Sequence, residues 1–200
     1  MRKIVLASKS VDRKEILERI GISFEIIGSE LDETPYKEKI KNPITLVKTL
    51  AKEKALWVRN KKIGQLEDSI IIAADTIVEY KREIIGKAKN EREAFTMLKK
   101  LMGTTHNLLT GLAITHSTSK KIITHYDSAK IEFLLLSDEN IWRYVESGEW
   151  KGRAGAYSLR ERASLFINVI EGSPSTVIGL PMHHVFQILK DEFNVNLLEY

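Results

Sequence analysis

The sequence predicts an α/β domain built on a mixed, twisted sheet with flanking helices. Three observations carry that reading. Short β-prone runs alternate with segments of helical spacing along the chain. Some strand pairs are joined by short turns, as in hairpins, so the sheet combines parallel and antiparallel neighbours. Of the 200 residues, 43% are hydrophobic and 29% charged, which suits a globular core and not a disordered chain.

The elements follow in order. Lys3 to Ala7 is an apolar, β-prone run, interrupted by Ser8-Lys9-Ser10. Val11 to Ile20 then carries Ile16, Leu17 and Ile20 at helical spacing, and Gly21 is placed to stop that helix. Phe24 to Ile27 reads as a second strand. Gly28 to Pro43 is polar, contains Pro35 and Pro43, and reads as a long loop holding Glu30, Asp32 and Glu33. Ile44 to Asn60 resumes the helical pattern through Leu46, Val47, Leu50, Ala51, Lys54 and Ala55.

Ile70 to Tyr80 is a long β-type run broken by Asp75, with a return at Ile84-Ile85 after the turn Lys81 to Glu83. Asn90 caps a helix to about Leu101, with Glu91 and Glu93 in its first turn. His106 to Thr115 and Lys121 to Leu136 read as strands around the turn Ser117 to Lys120. Ser137 caps a helix to Glu146, and Gly148 to Ala156 is loop-like. Ser164 to Ile170 reads as a strand, and Pro181 starts a final helix at a favoured position. The tail from Phe193 shows no clear pattern.

Asp75 is the strongest chemical signal. A carboxylate inside Ile70-Ile71-Ile72-Ala73-Ala74 and Thr76-Ile77-Val78 must be paired, exposed at a strand end, or bound to a cation. A sheet-edge Asp satisfied by backbone donors reads equally well from this run alone. Ser8 and Ser10 stand between a strand and a helix, where free N–H groups and the helix dipole suit phosphate, with Arg13 and Lys14 following. An ordinary Ser cap explains the same residues, and the segment lacks the glycines and the Gly-Lys-Ser/Thr ending of a Walker loop. Carboxylates such as Asp32 and Glu33 suit a hard cation, although a solvated loop would look the same. Lys54 and Lys87 are placed to cradle phosphate, and either could also be a plain surface lysine. His183-His184 lacks the spacing for a shared metal on one helix face and reads as structural.

Composition excludes several classes. Without cysteine there is no disulfide, thiolate metal site or cysteine nucleophile. The net charge of +4, from 31 basic and 27 acidic residues, is scattered and forms no basic stripe for nucleic acid. Met1 to Ala7 has no signal-peptide pattern, and the apolar run Ile70 to Ala74 is too short to span a bilayer, so a cytoplasmic protein without membrane contact is expected. Residues 1–200 read as one domain.

Taken together and in order, these fragments resemble the Maf family of nucleotide pyrophosphatases. Leu6 to Leu17 is similar to the family's opening L-A-S-x-S-P-R-R-x-E-L-L, and Ser29 to Glu33 to its acidic loop. Leu50 to Ala55 resembles L-A-x-x-K-A, and Ala74 to Val78 resembles A-D-T-x-V. Gly86-Lys87 matches G-K-P without the proline. Thr105-His106 and Thr110-Gly111 resemble T-H-x-V-x-T-G, and Ala154 to Tyr157 matches A-G-A-Y. Glu171-Gly172 and Val177 to Pro181 resemble the closing E-G-x-x-x-x-V-x-G-L-P.

The resemblance implies a Maf/ITPase-like mixed sheet with two lobes around a deep nucleotide-binding cleft. It implies hydrolysis of a nucleoside triphosphate to the monophosphate and pyrophosphate with Mg²⁺ or Mn²⁺. It implies Asp75 as proton acceptor, with Ser8, Ser10, Arg13, Glu33, Lys54 and Lys87 in the phosphate and metal cluster; Glu33 and Asp75 are its metal candidates. Thr76 resembles the dTTP/UTP branch, whereas Asp12 replaces that branch's first Arg and Arg160 stands where it has Gln. These three are the specificity candidates, and Asp12 and Arg160 are opposite in sign and expected to pair. A homodimer follows from family likeness and from the frequency of two-fold dimers. Two alternatives stay open: a nucleotide-binding regulator of septum formation with little turnover, and a house-cleaning pyrophosphatase for deaminated purine triphosphates.

Overall fold

The computed structural model describes residues 2–61 and 66–200. Met1, part of the opening segment read for targeting signals, lies outside the described residues. The first crossover runs β1 (Lys3–Leu6), α1 (Val11–Arg19), β2 (Phe24–Ile26). β1 pairs β2 in parallel, with Leu6 opposite Ile26. After α2 (Thr34–Lys39) and α3 (Pro43–Lys61), β3 (Ser69–Tyr80) pairs β1 in parallel on its other side, with Leu6 opposite Ile72. β4 (Glu83–Ile85) returns antiparallel against β3.

The remaining elements are α4 (Glu91–Leu101), β5 (Thr105–His116), β6 (Ile122–Phe133), α5 (Asp138–Glu146), β7 (Ile167–Glu171), α6 (Pro174–Ile178) and α7 (Met182–Phe193). β7 is antiparallel to β6. The sheet order is β2-β1-β3-β5-β6-β7, with β4 paired to β3, so the sheet is mixed, as expected, and has seven strands among the described residues. No helix among the described residues is long and apolar enough to cross a membrane.

Helix caps follow the sequence chemistry. Asn90 accepts from Glu93 N at 2.9 Å, and Ser137 accepts from Asn140 N at 3.3 Å. Four expectations are corrected. The segment Gly28 to Pro43 is not all loop: α2 forms there because Asp32 accepts from Thr34 N at 3.0 Å and Pro35 presets the first helical turn. The strand expected from Ser164 starts only at Ile167, because Arg162–Leu165 form a 3₁₀ turn in which Ser164 Oγ donates to the Glu161 carbonyl at 2.6 Å. The strand read as Lys121 to Leu136 is shorter at both ends. Pro181 sits at the N-cap of α7 and not inside it. The short helix α6 was not anticipated.

The chain forms two compact units. The first comprises the residues through Asp75, Thr110–Asp127 and Gly179–Tyr200; the second comprises Thr76–Leu109 and Ser128–Ile178. In the first unit the period-2 alternation of the strands divides the core in two. Ile4, Leu6, Ile70, Ile72, Ala74, Leu112 and Ile114 pack with Leu17 of α1 and Val185, Leu189 and Phe193 of α7. Val5, Ala7, Ile71, Ala73 and Ala113 pack with Ala51, Ala55 and Val58 of α3. In the second unit, Ala94, Leu98 and Leu101 of α4 and Ile141, Tyr144 and Val145 of α5 pack around Val78, Ile131, Phe133, Tyr157 and Phe166. Phe133 there makes edge-to-face contacts with both Tyr157 and Phe166.

Candidate active site

Within the first unit, β1 lies between β2 and β3, and the helices that follow it occupy opposite faces. α1 covers one face on the way to β2, and α3 covers the other on the way to β3. The carboxyl ends of β1 and β3 thus form a switch point, the place where α/β sheets gather ligands. Ser8 follows the end of β1, and Asp75 lies three residues past Ile72, the partner of Leu6.

The turn after β1 is tied together by one hydroxyl. Ser8 is buried, and its Oγ accepts from Ser10 N at 3.2 Å and from Arg13 Nη1 at 3.1 Å. Arg13 Nε donates to the Gly179 carbonyl at 2.6 Å, so the guanidinium is aimed by two fixed contacts. Ser10 is the N-cap of α1, in extended conformation, but its side chain makes no capping bond. Burial pulls the Arg13 pKa down, and the charges of Asp75 and Glu33 push it back up.

The two periodicities of strand and helix explain how Asp75 meets Lys54. Asp75 continues the face of β3 that Ile71 and Ala73 present to α3. On α3, Lys54 falls at helical spacing with Ala51, Ala55 and Val58, the residues packed on that face. The ammonium and carboxylate therefore meet where the apolar contact ends. Lys54 Nζ lies 2.5 Å from Asp75 Oδ1 and 2.6 Å from Glu33 Oε1. The side chains of Lys54 and Asp75 are only 13% and 10% exposed, so removing Lys54 would leave the Asp75 charge stranded in a poor dielectric, whereas Lys54 itself keeps Glu33 as a second partner.

Glu33 arrives as the N-cap of α2 and takes a second cation, Lys37, at 2.5 Å one helical turn later. Burial pushes the Glu33 carboxyl up, but Lys54 and then Lys37 overcome this and hold it at about 2. Glu33 is thus ionised throughout the neutral range.

The structure brings Ser8, Arg13, Glu33, Lys54 and Asp75 together in the first unit, with Ser10 at the head of α1 and Asp12 half-buried in its first turn. Thr76, Lys87 and Arg160 belong to the second unit. There Lys87 bridges Ala154, and Gly155 N donates to the Gly86 carbonyl at 2.9 Å, so the Gly86-Lys87 and Ala154-Gly155 segments run side by side. Arg160 is half-buried, and its charge acts on neighbouring Arg153, which lies 3.9 Å from Glu161.

Sequence reasoning missed Lys37 as a partner of Glu33, although the i,i+4 spacing was visible. It also missed the Gly179 carbonyl as the acceptor for Arg13; no local signal links residues so far apart in the chain.

A protein-family model described as "Maf-like protein" matches residues 3–192. A dTTP/UTP pyrophosphatase of Alkaliphilus oremlandii is 41% identical over 201 residues, covering 99% of this chain and all of the relative. A dTTP/UTP pyrophosphatase of Thermoanaerobacter sp. is 40% identical, covering 98% of this chain and all of the relative. One of Bacillus cereus is 41% identical, with 98% of each chain covered.

Proposed function

Because the chain belongs to the Maf-like protein family, we propose that it is a nucleoside triphosphate pyrophosphatase that acts on dTTP and UTP with an altered pyrimidine preference. The observation that carries this reading is the buried Lys54 ammonium between Glu33 and Asp75, beside an arginine aimed from the first turn of α1. Pure binding of a triphosphate calls for cations; a buried carboxylate next to them calls for a chemical reason.

In the proposed reaction a water oxygen attacks the α-phosphorus, the α–β bridging bond breaks, and pyrophosphate departs. Asp75 accepts the water's proton. Lys54 engages Oδ1, and a carboxylate has a second oxygen with which to take that proton. Arg13 and Lys54 stabilise charge on the phosphates, and Lys87 is proposed to join them. The Ser8 to Ser10 turn offers backbone N–H groups to phosphate oxygens.

The donor set also suits a hard divalent cation. Glu33 and Asp75 bring two carboxylates together at Lys54, and carboxylate oxygens are the donors that Mg²⁺ or Mn²⁺ would take. Such an ion, held by Glu33 and Asp75, would acidify water and neutralise phosphate charge. EDTA should stop activity. Glu33→Gln should raise the cation concentration needed for half-maximal rate by about tenfold or more, read from rate against free Mg²⁺. An unchanged curve would place Glu33 outside the ion's shell.

The whole of residues 1–200 is proposed to act as one catalytic domain, as a homodimer in the cytoplasm, where nucleoside triphosphates occur. The test of the function is a pyrophosphate-release screen over normal, methylated and deaminated triphosphates with Mg²⁺ or Mn²⁺. Release from dTTP and UTP is expected; release from none would overturn the reading, and preference for deaminated purines would replace it.

Asp12, Thr76 and Arg160 are proposed to set the base preference. Gln both donates and accepts toward a pyrimidine edge, whereas Arg160 only donates. Arg160→Gln should shift the ratio of kcat/KM between UTP and GTP, and adding Asp12→Arg should shift it further. A flat ratio across wild type and both variants would show that neither side chain reads the base.

A further inference from the structure

A second cluster of ligating side chains lies in the first unit, apart from the residues assigned to the reaction. Asp127 on β6 and His183 and His184 on α7 each offer one ligand atom, and these atoms all lie within 4.8 Å of one another. His183 Nε2 is 3.4 Å from Asp127 Oδ2. His125 lies beside this group, because positions 125 and 127 share one face of β6 by strand alternation. Its ring centroid is 4.0 Å from that of His184, and the rings of His183 and His184 are also 4.0 Å apart.

The adjacency of His183 and His184 in sequence argued against a shared site, because neighbours on a helix diverge. The strand changes that argument. It supplies the carboxylate and the third imidazole from a separate element, and the two helix residues sit in the first turn of α7, next to the Pro181 cap.

We propose that Asp127, His183 and His184, with His125 as the available fourth ligand, form a binding site for a borderline divalent transition ion, Zn²⁺ in the cell. Imidazole and carboxylate together are the donors such an ion takes, and hard ions such as Mg²⁺ select against imidazole. With metal–ligand bonds of about 2.0–2.2 Å, neighbouring ligand atoms of a tetrahedral ion stand roughly 3.3 Å apart. The Asp127–His183 pair already stands at that spacing, and a ligand atom of His184 lies within 4.8 Å of both.

Asp127 supplies a negative charge beside the first turn of α7, where the helix dipole is positive. The ion would clamp the first turn of α7 to β6, immediately after the Gly179–Pro181 segment whose carbonyl holds Arg13.

The experiment is equilibrium binding of Zn²⁺ and Co²⁺ to the full chain with excess Mg²⁺, in wild type and in the Glu33→Gln/Asp75→Asn background. That background removes the carboxylates of the reaction site as competitors; because it also takes both carboxylates from the Lys54 ammonium, its melting curve without metal is recorded first, and Asp75→Asn alone, which keeps Glu33 on Lys54, replaces it if it does not fold. One equivalent of ion should bind in both, with an intense visible Co²⁺ spectrum of tetrahedral type and a rise in Tm. His183→Ala and His184→Gln should each weaken binding at least about tenfold. His183 is exposed, so the first variant should fold normally, and its melting curve without metal checks this. Equal binding by wild type and both variants, or loss of binding in the Glu33→Gln/Asp75→Asn background, would overturn the proposal.

Discussion

Asp75→Asn should cut pyrophosphate release by about 10²-fold or more while leaving the fold intact. The substitution keeps the size of the side chain and removes its charge and its basicity. Its structural cost should be small. The Asn carbonyl can still accept from Lys54, and the ammonium keeps Glu33 at 2.6 Å, so no buried charge is stranded. Thermal melts of wild type and variant should therefore nearly coincide.

The way the loss depends on cation separates two roles for this carboxylate. A missing proton acceptor depresses kcat at every Mg²⁺ or Mn²⁺ concentration. A missing ligand is partly restored by raising the cation. The geometry favours the first outcome, because Asp75 is buried beside Lys54 and Glu33 is the more exposed carboxylate. Turnover near wild type in the folded variant would remove Asp75 from the reaction altogether.

What could be read from the chain beforehand was local. Asp75 stood out because an apolar strand cannot bury a lone carboxylate, and the structure supplies its partner on α3. Lys54 was legible only as one residue of a helical stripe. Its pairing with Asp75 depends on which helix covers which face of the sheet, and no periodicity states that. Glu33 was visible as an acidic residue in a polar stretch, but Pro35 disguised the helix that positions it. Proline marks loops and also first helical turns, and the Asp32–Thr34 contact decides between them. The contact of Arg13 with Gly179 and the meeting of Asp127 with His183 come from topology. The elements involved are far apart in sequence and neighbours only in the folded sheet.

Gly111 shows the same limit and yields a large expected effect. Its place in the Thr110-Gly111 motif was readable, but its physical reason was not. Gly111 lies on β5, on the face that Ala113 turns toward α3. A Cβ built at Gly111 would stand 2.2 Å from the Val47 carbonyl oxygen, 2.3 Å from its carbon and 2.8 Å from Lys48 N. All three are backbone atoms of α3, so no rotamer change can relieve the overlap; the helix must move away from the strand. Forcing a methyl into a filled contact typically costs about 1–3 kcal/mol, and this overlap belongs at or above the upper end. For a chain of this length that corresponds to a Tm lowered by roughly 6–12 °C. Activity should fall as well, beyond what the loss of folded protein explains. Lys54 sits two helical turns beyond Val47 on the same helix, and a tilt of α3 carries its ammonium away from Asp75. Gly111→Ala should therefore melt early and, when assayed well below its Tm, show a reduced kcat. A variant with wild-type Tm and kcat would mean that α3 does not rest on the β5 backbone, and that the Lys54–Asp75 contact has some other support.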